Sequence, residues 1–239
     1  MKTTVLGVAY DNITMAEALA RGRELLAGSE TAYCVTPNAE MAYEAMHDSE
    51  FCSILNGAAL VLPDGAGVIL GAKIVRTPLK EKVAGIDFAQ NMLAVFEETG
   101  SRLYLLGSKP GIAELAAEKM QQKHPKLCIC GIRDGYFQDE AEVVQAINEA
   151  KADAVYVCLG SPKQERFMYA HRGELNARLL VGLGGTLDGI AGTVKRAPKW
   201  MIRLQLEWLY RLIKEPKRFK RMLRLPKYIF AALKTRMKG

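Results

Sequence analysis

Several short stretches place glycines and polar side chains where apolar runs end. In VLPDGAGV, residues 61–68, a run of small and apolar residues closes on a lone carboxylate, Asp64, followed by Gly65 and Gly67. CVTPNAEM (34–41) sets Thr36 and Asn38 just past an apolar run, and CLGSPKQERF (158–167) sets Gln164 and Glu165 there. LLGSKPG (105–111) presents Gly107 and Ser108 ahead of a helix opening near Pro110. VGLGGTLDG (181–189) offers Gly184, Gly185 and Asp188. Glycine permits close backbone approach, and a helix N-terminus offers free N–H groups to a phosphate, so these loops suit an anionic ligand. Structural duties compete with that reading. Thr36 or Asn38 suits an N-cap, Asp64 can cap a helix, and Ser161 with Gln164 can form a capping box. No loop matches G-x-G-x-x-G or a Walker A sequence, so neither a dinucleotide nor a P-loop site is indicated.

The elements that position these residues alternate. Residues 3–194 read as short apolar strands (TTVLGVAY, TAYCVT, AALVLP, RLYLLG, KLCICGI, DAVYVCLG and ARLLVGLGG) separated by helical patterns such as MAEALARGRELLAG and GIAELAAEKMQQK. Strands apolar along their length are buried on both faces, which predicts an α/β domain with a largely parallel sheet. In such sheets ligands bind in the crevice beyond the carboxyl ends of the strands, where all these polar groups fall. A nucleotide-sized cleft at that rim is the expectation.

A chain of 239 residues, 49% hydrophobic and 25% charged, suffices for one sizeable core, or a core with an appendage. The N-terminus MKTTVLGVAYDN lacks the apolar core of a signal peptide, and no stretch approaches the ~20 apolar residues that span a bilayer. A cytoplasmic protein is expected. Five scattered cysteines (Cys34, Cys52, Cys128, Cys130 and Cys158) and three isolated histidines form no zinc-ligand pattern, so core thiols and no metal are the expectation.

Charge divides the chain. From Lys195 onward fifteen Lys/Arg face Glu207 and Glu215, a net +13, whereas residues 1–194 carry a net −6. The predicted organisation is therefore a domain over 1–194 and a basic appendage over 195–239. Both tryptophans lie in the appendage, where Trp200, Leu204, Trp208 and Leu212 recur at helical spacing, and Arg218, Arg221 and Arg224 recur every three residues. Basic, aromatic and amphipathic together read as a segment that lies on an anionic membrane surface. No nucleic-acid motif is present and the body is acidic, which speaks against nucleic acid.

In order along the chain, TPNAEM, LPDGAGV, KVAGIDF, LYLLGSKPG, GYF, LGSPKQERF, GGTLDGIAGTVKRAP and LEWLYRLIKEPKR resemble the bacterial WecG/TagA/CpsF glycosyltransferases over nearly the whole chain. The resemblance implies a Rossmann-like core and a C-terminal appendage that reaches the membrane. It implies transfer of an N-acetylmannosamine-type sugar from a UDP-sugar to polyprenyl-diphosphate-linked N-acetylglucosamine, the step that begins wall teichoic acid linkage units or related surface polysaccharides. The protein would then sit peripherally on the inner face of the cell membrane. An α-linked donor giving a β-linked product is an inversion that needs one general base, and the family pattern assigns it to Asp64. Gly65, Ala66 and Gly67 would leave room for the sugar. No D-x-D occurs in the sequence, so metal-independent transfer without a cofactor is expected, with cations and helix N-termini stabilising the departing diphosphate.

The resemblance also implies substrate contacts at Thr36, Asn38, Lys82 and Gln164. Lys82 stands where the family usually has arginine, keeping the charge and losing bidentate geometry. Asp188 would accept from the uracil N–H beside Gly107, Ser108, Gly184 and Gly185, and Arg211, Arg218, Arg221 and Arg224 would meet the diphosphate and membrane. Donor alternatives are UDP-N-acetylmannosamine uronic acid or another UDP-hexose. Oligomeric state stays open, since self-association can mask the apolar appendage. Two other classes stand beside these: a nucleotide-dependent oxidoreductase, disfavoured by its missing glycine motif, and a non-enzymatic membrane or nucleic-acid adaptor, which leaves Asp64 without a role.

Overall fold

The computed structural model describes residues 1–204, 206–214, 219 and 223–238, without the side chains of 199, 211 and 238. Six strands form one parallel sheet: β3 (Ala32–Val35), β4 (Leu60–Val61), β5 (Arg102–Gly107), β6 (Cys128–Arg133), β7 (Ala154–Cys158) and β8 (Leu179–Gly182). Their spatial order is β4-β3-β8-β7-β5-β6. Alternate side chains serve opposite faces, which is why the strands read as unbroken apolar runs. Cys34, Leu103, Leu105, Tyr156 and Val181 pack with α1 (Met15–Leu26), α5 (Gly85–Thr99), α6 (Ile112–Lys123) and α9 (Thr186–Ala191). Val35, Val61, Tyr104, Leu106, Val155 and Leu180 pack on the other side with α2 (Ala39–Ala45), α3 (Ser49–Asn56), α4 (Ala66–Ile74), α7 (Glu140–Glu149) and α8 (Lys163–His171). The architecture is a three-layer, Rossmann-like α/β fold.

TTVLGVAY departs from expectation. It is not a sheet strand but a hairpin of β1 (Lys2–Val5) and β2 (Val8–Asp11), antiparallel and separate from the main sheet. Leu6 and Gly7 both adopt positive φ (50° and 88°), the two-residue turn that matches strand twist. The hairpin braces β4: the Val61 N–H donates to the Asp11 carboxylate at 2.8 Å.

Connections leave neighbouring strands toward opposite faces. β3 leads to α2 and its neighbour β8 to α9; β7 leads to α8 and its neighbour β5 to α6. Each divergence opens a crevice at the carboxyl ends, where ligands of such sheets bind.

The appendage supplies α10 (Lys199–Arg203), α11 (Glu207–Lys214) and α12 (Arg224–Lys238). The last of these packs on α2 and α4 and delivers Tyr228 and Ala232, both fully buried, into the core. Its seat is made of absent side chains: a Cβ at Gly67 would lie 2.6 Å from Leu225 Cδ1, and one at Gly71 would lie 2.7 Å from the Tyr228 ring. Arg224 closes the contact with an ion pair to Glu44 at 2.6 Å.

Candidate active site

Asp64 follows β4 directly, and the backbone fixes it from both sides. The Leu62 N–H donates to Val35 O at 2.9 Å and the Val83 N–H donates to Pro63 O at 3.0 Å, tying the L-P-D-G turn to β3 and to the K-V-A-G segment. The N-cap of α4 is Gly65 at φ 90°, with no side-chain capping bond, so Asp64 is not a helix cap. Its carboxylate is half-buried. Arg196 and Tyr10 lie within its electrostatic reach. The Arg196 guanidinium is held protonated chiefly by hydrogen bonds from its two nitrogens to Asp87 at 2.6 and 2.8 Å, then by Glu207 and Asp64. Burial pushes the Tyr10 phenol well up, with Tyr228 and then Asp64 adding to it. Gly67 does not leave room for a sugar: the space beside it is taken by Leu225 and Ala39, because α12 comes close there, whereas a Cβ at Gly65 would meet nothing nearer than Asn38 Cβ at 3.8 Å.

The flanking residues are partly committed to the fold. Thr36 is buried and its hydroxyl donates to Gly182 O at 3.0 Å, bridging β3 and β8 across the crevice. Asn38 is the N-cap of α2, its Oδ1 accepting from the Glu40 and Met41 amides at 2.9 and 3.1 Å. The amide Nδ2 takes no part in that cap.

On the second crevice the structure brings Ser108 and Asp188 together, with Ser108 Oγ donating to Asp188 Oδ2 at 2.9 Å. Gly107 is required there, since a Cβ would lie 2.3 Å from Cys158 O and φ is 123°. Gly184 and Gly185 form the turn between β8 and α9. The Gly184 N–H donates to Gln164 Oε1 at 2.8 Å, and Gln164 Nε2 donates to Glu165 Oε1 at 2.7 Å. The capping-box alternative is not realised: α8 has Pro162 as N-cap without a side-chain bond, and Ser161 Oγ has no hydrogen-bond partner among the described residues.

The basic candidates divide. Lys82 faces Glu207 of α11 at 3.8 Å, and Arg224 is engaged with Glu44. Arg211 lies on α11, with its side chain outside the description. Arg218 and Arg221 lie outside the described residues. Among those residues no three His, Cys, Asp or Glu side chains cluster closely enough to hold a metal ion. Two concavities of about 430 and 450 Å³ lie elsewhere, one along α5, α6 and α9 and one by Tyr33 and Arg172; Asp64 lines neither.

Sequence reasoning set Glu165 at the rim without giving it a role, and it missed Arg196 and Tyr10. Arg196 and Glu165 sit inside quoted motifs, in TVKRAP and PKQERF, and the signal was their adjacency to assigned residues. Tyr10 gave no signal of its own. Glu165 is fully buried, and burial pushes its carboxyl up against the opposing pull of Gln164 and the nearby Ser161. Ser161 is near enough to act on the carboxyl, although Glu165 Oε2 makes no well-formed hydrogen bond. With the folded pKa above the unfolded value of about 4.3, the native state holds its proton longer, so this group lowers stability as pH rises from the unfolded toward the folded pKa. Glu165→Gln removes that loss. The urea midpoint of the variant should gain on wild type as pH rises above about 4.3; a constant difference would refute the upward shift.

The parallel sheet, its two crevices, and the carboxylates and glycine turns gathered at one rim define a Rossmann-like α/β fold with its candidate site at the carboxyl ends of the strands. The chain belongs to the glycosyl transferase WecG/TagA/CpsF family, whose profile matches residues 3–239. It is 40% identical over 199 residues to a Bacillus subtilis (strain 168) protein named N-acetylglucosaminyldiphosphoundecaprenol N-acetyl-beta-D-mannosaminyltransferase, covering 83% of this chain and 78% of that one. A protein of the same name from Bacillus spizizenii is 38% identical over 203 residues, 85% and 79% of the two chains. The like-named protein of Staphylococcus aureus (strain MRSA252) is 30% identical over 240 residues, 99% and 94% of the two.

Proposed function

We propose that this chain is an inverting, metal-independent transferase that moves N-acetylmannosamine from UDP-N-acetylmannosamine to polyprenyl-diphosphate-linked N-acetylglucosamine. The observation that carries the reading is Asp64, a half-buried carboxylate held by backbone bonds at a strand end on the crevice rim. The acceptor hydroxyl gives its proton to Asp64 as its oxygen attacks the anomeric carbon, and the bond from that carbon to UDP breaks with the electron pair leaving on the diphosphate. Lys82 and Arg196, cations near the rim, stabilise that charge, and the appendage arginines contribute as the substrate is engaged. The Ser108–Asp188 pair and the Gly184–Gly185 turn take the nucleotide.

The test is UDP release in detergent with EDTA present, using the lipid acceptor and a panel of UDP-sugars. Acceptor-dependent turnover of UDP-N-acetylmannosamine supports the reading. Turnover of the uronic acid or another hexose moves the donor assignment. Failure to bind UDP sinks it.

The lipid acceptor accounts for the appendage. No helix among the described residues is long and apolar enough to cross a membrane. Trp200, Leu204, Ile213, Phe230 and Met237 are nevertheless exposed, amid the net +13 of residues 195–239. Such a surface suits peripheral binding to an anionic leaflet, where each Lys or Arg contributes about 1 kcal/mol. Full-length protein should sediment with anionic vesicles and be released by salt. The double variant Trp208→Glu, Phe230→Glu should sediment several-fold less, and equal sedimentation would remove this role.

A further inference from the structure

We propose that Glu165 is a positioning residue for the nucleotide side of the site: it fixes the Gln164 amide, and through that amide the Gly184–Gly185 turn. The proposal rests on the transferase reading above. Gln164 is buried between two partners of opposite character, with Oε1 accepting from the Gly184 N–H at 2.8 Å and Nε2 donating to Glu165 Oε1 at 2.7 Å. A flipped amide would turn a donor toward the Gly184 N–H and an acceptor toward Glu165, losing both bonds. The acceptor on Glu165 therefore selects the orientation that holds Gly184. Gly182 makes room for this amide, since a Cβ there would lie 3.0 Å from Nε2. Gly184 itself sits at φ 54°, and the Gln164 bond pins the turn in that conformation.

A second observation says that packing alone does not explain the residue. Glu165 is fully buried, its Oε2 has no hydrogen-bond partner among the described residues, and neither has the neighbouring Ser161 Oγ. Burial raises the carboxyl pKa, and the Glu44 carboxylate, itself paired with Arg224, adds to it. A leucine or methionine of similar volume would fill the space and remove the unsatisfied Oε2, leaving Gln164 Nε2 as the group without its partner. An acid kept in such a place costs stability, and what it offers in exchange is the acceptor that orients Gln164.

Stability and function should therefore separate in Glu165→Leu. Its melting temperature should stay close to that of wild type, because removing the unsatisfied acid offsets the unpaired Gln164 Nε2, while kcat/KM for the UDP-sugar falls about tenfold or more, mainly through donor KM, as expected when a buried amide loses its partner. Hydrogen exchange at the Gly184 amide, measured without ligand, should quicken by roughly tenfold. Glu165→Gln, which still presents a carbonyl oxygen to Gln164, should restore kcat/KM to within about threefold of wild type. Should the leucine variant fail to fold, Glu165→Met is read in the same way. Unchanged Gly184 exchange, or quickened exchange with unchanged kcat/KM, overturns the proposal, as does equal loss of activity and stability in Leu and Gln alike. If wild type turns over no donor, the transferase reading fails, and the exchange measurement still decides whether Glu165 holds the turn.

Discussion

Asp64→Asn should lower acceptor-dependent UDP release by about 10²- to 10⁴-fold while leaving UDP affinity and melting temperature near wild type. The substitution keeps side-chain shape and removes only basicity and charge. The turn should survive it, because its geometry is carried by the backbone bonds from Leu62 to Val35 and from Val83 to Pro63, with Gly65 rather than Asp64 as the cap of α4. The loss should fall on kcat, since an acceptor hydroxyl is a poor nucleophile until its proton is being taken. Loss of the carboxylate also withdraws one of the weaker charges acting on Arg196, whose main partner, Asp87, remains. Single-turnover UDP release and calorimetric UDP binding on one preparation separate the cases. A variant with more than about a tenth of wild-type turnover would remove Asp64 as the base. A variant that no longer binds UDP would give it a structural or nucleotide-holding role instead.

What the sequence announced and what it withheld follow from the range of the interactions. Strands buried on both faces announce themselves as apolar runs, so the parallel sheet and the rim were legible. Gly107 was legible as a tight approach, and the structure shows the approach, 2.3 Å between its would-be Cβ and Cys158 O. The hairpin was not, because nothing in TTVLGVAY says that Leu6 accepts a positive φ until Val5 pairs with Val8. Asn38 was legible as a residue of interest and ambiguous in its role, and the cap is the role the structure displays. The least legible feature was the purpose of Gly67 and Gly71. A glycine whose missing side chain is filled by a residue well over a hundred positions later carries no local sign of its partner. Arg196 was hidden for the same reason, since its bonds run to Asp87 across the fold. Charge pattern set residues 195–239 apart in the sequence; only packing revealed that α12 is seated in the core.

That seating makes Gly71→Leu the second large effect. Leucine is a better helix former than glycine, which lies roughly 0.8–1 kcal/mol below alanine, so α4 itself should be unharmed or firmer. The harm is across the interface. A Cβ at Gly71 would stand 2.7, 2.8 and 3.0 Å from three atoms of the Tyr228 ring tip, and Tyr228 is fully buried with nowhere to retreat. Overpacking of this kind costs about 1–3 kcal/mol, a roughly 5- to 150-fold shift from docked to released α12. The Arg224–Glu44 pair, part-exposed, does not offset that. Trypsin should then cut at Lys227 and Lys234 at least several-fold faster than in wild type. Transfer should fall with it if the appendage cations serve the diphosphate, whereas UDP binding at the Ser108–Asp188 side, remote from α4 in sequence and on another crevice, should hold. Leu70→Ala supplies the control, because Leu70 is 49% exposed on the same helix. Fast cleavage in both variants would mean that α4 had been loosened generally. Protection in both would mean that α12 is not held by the Gly71 notch. Cleavage confined to Gly71→Leu, with transfer lost and UDP binding kept, would tie appendage docking to the transfer step rather than to the nucleotide.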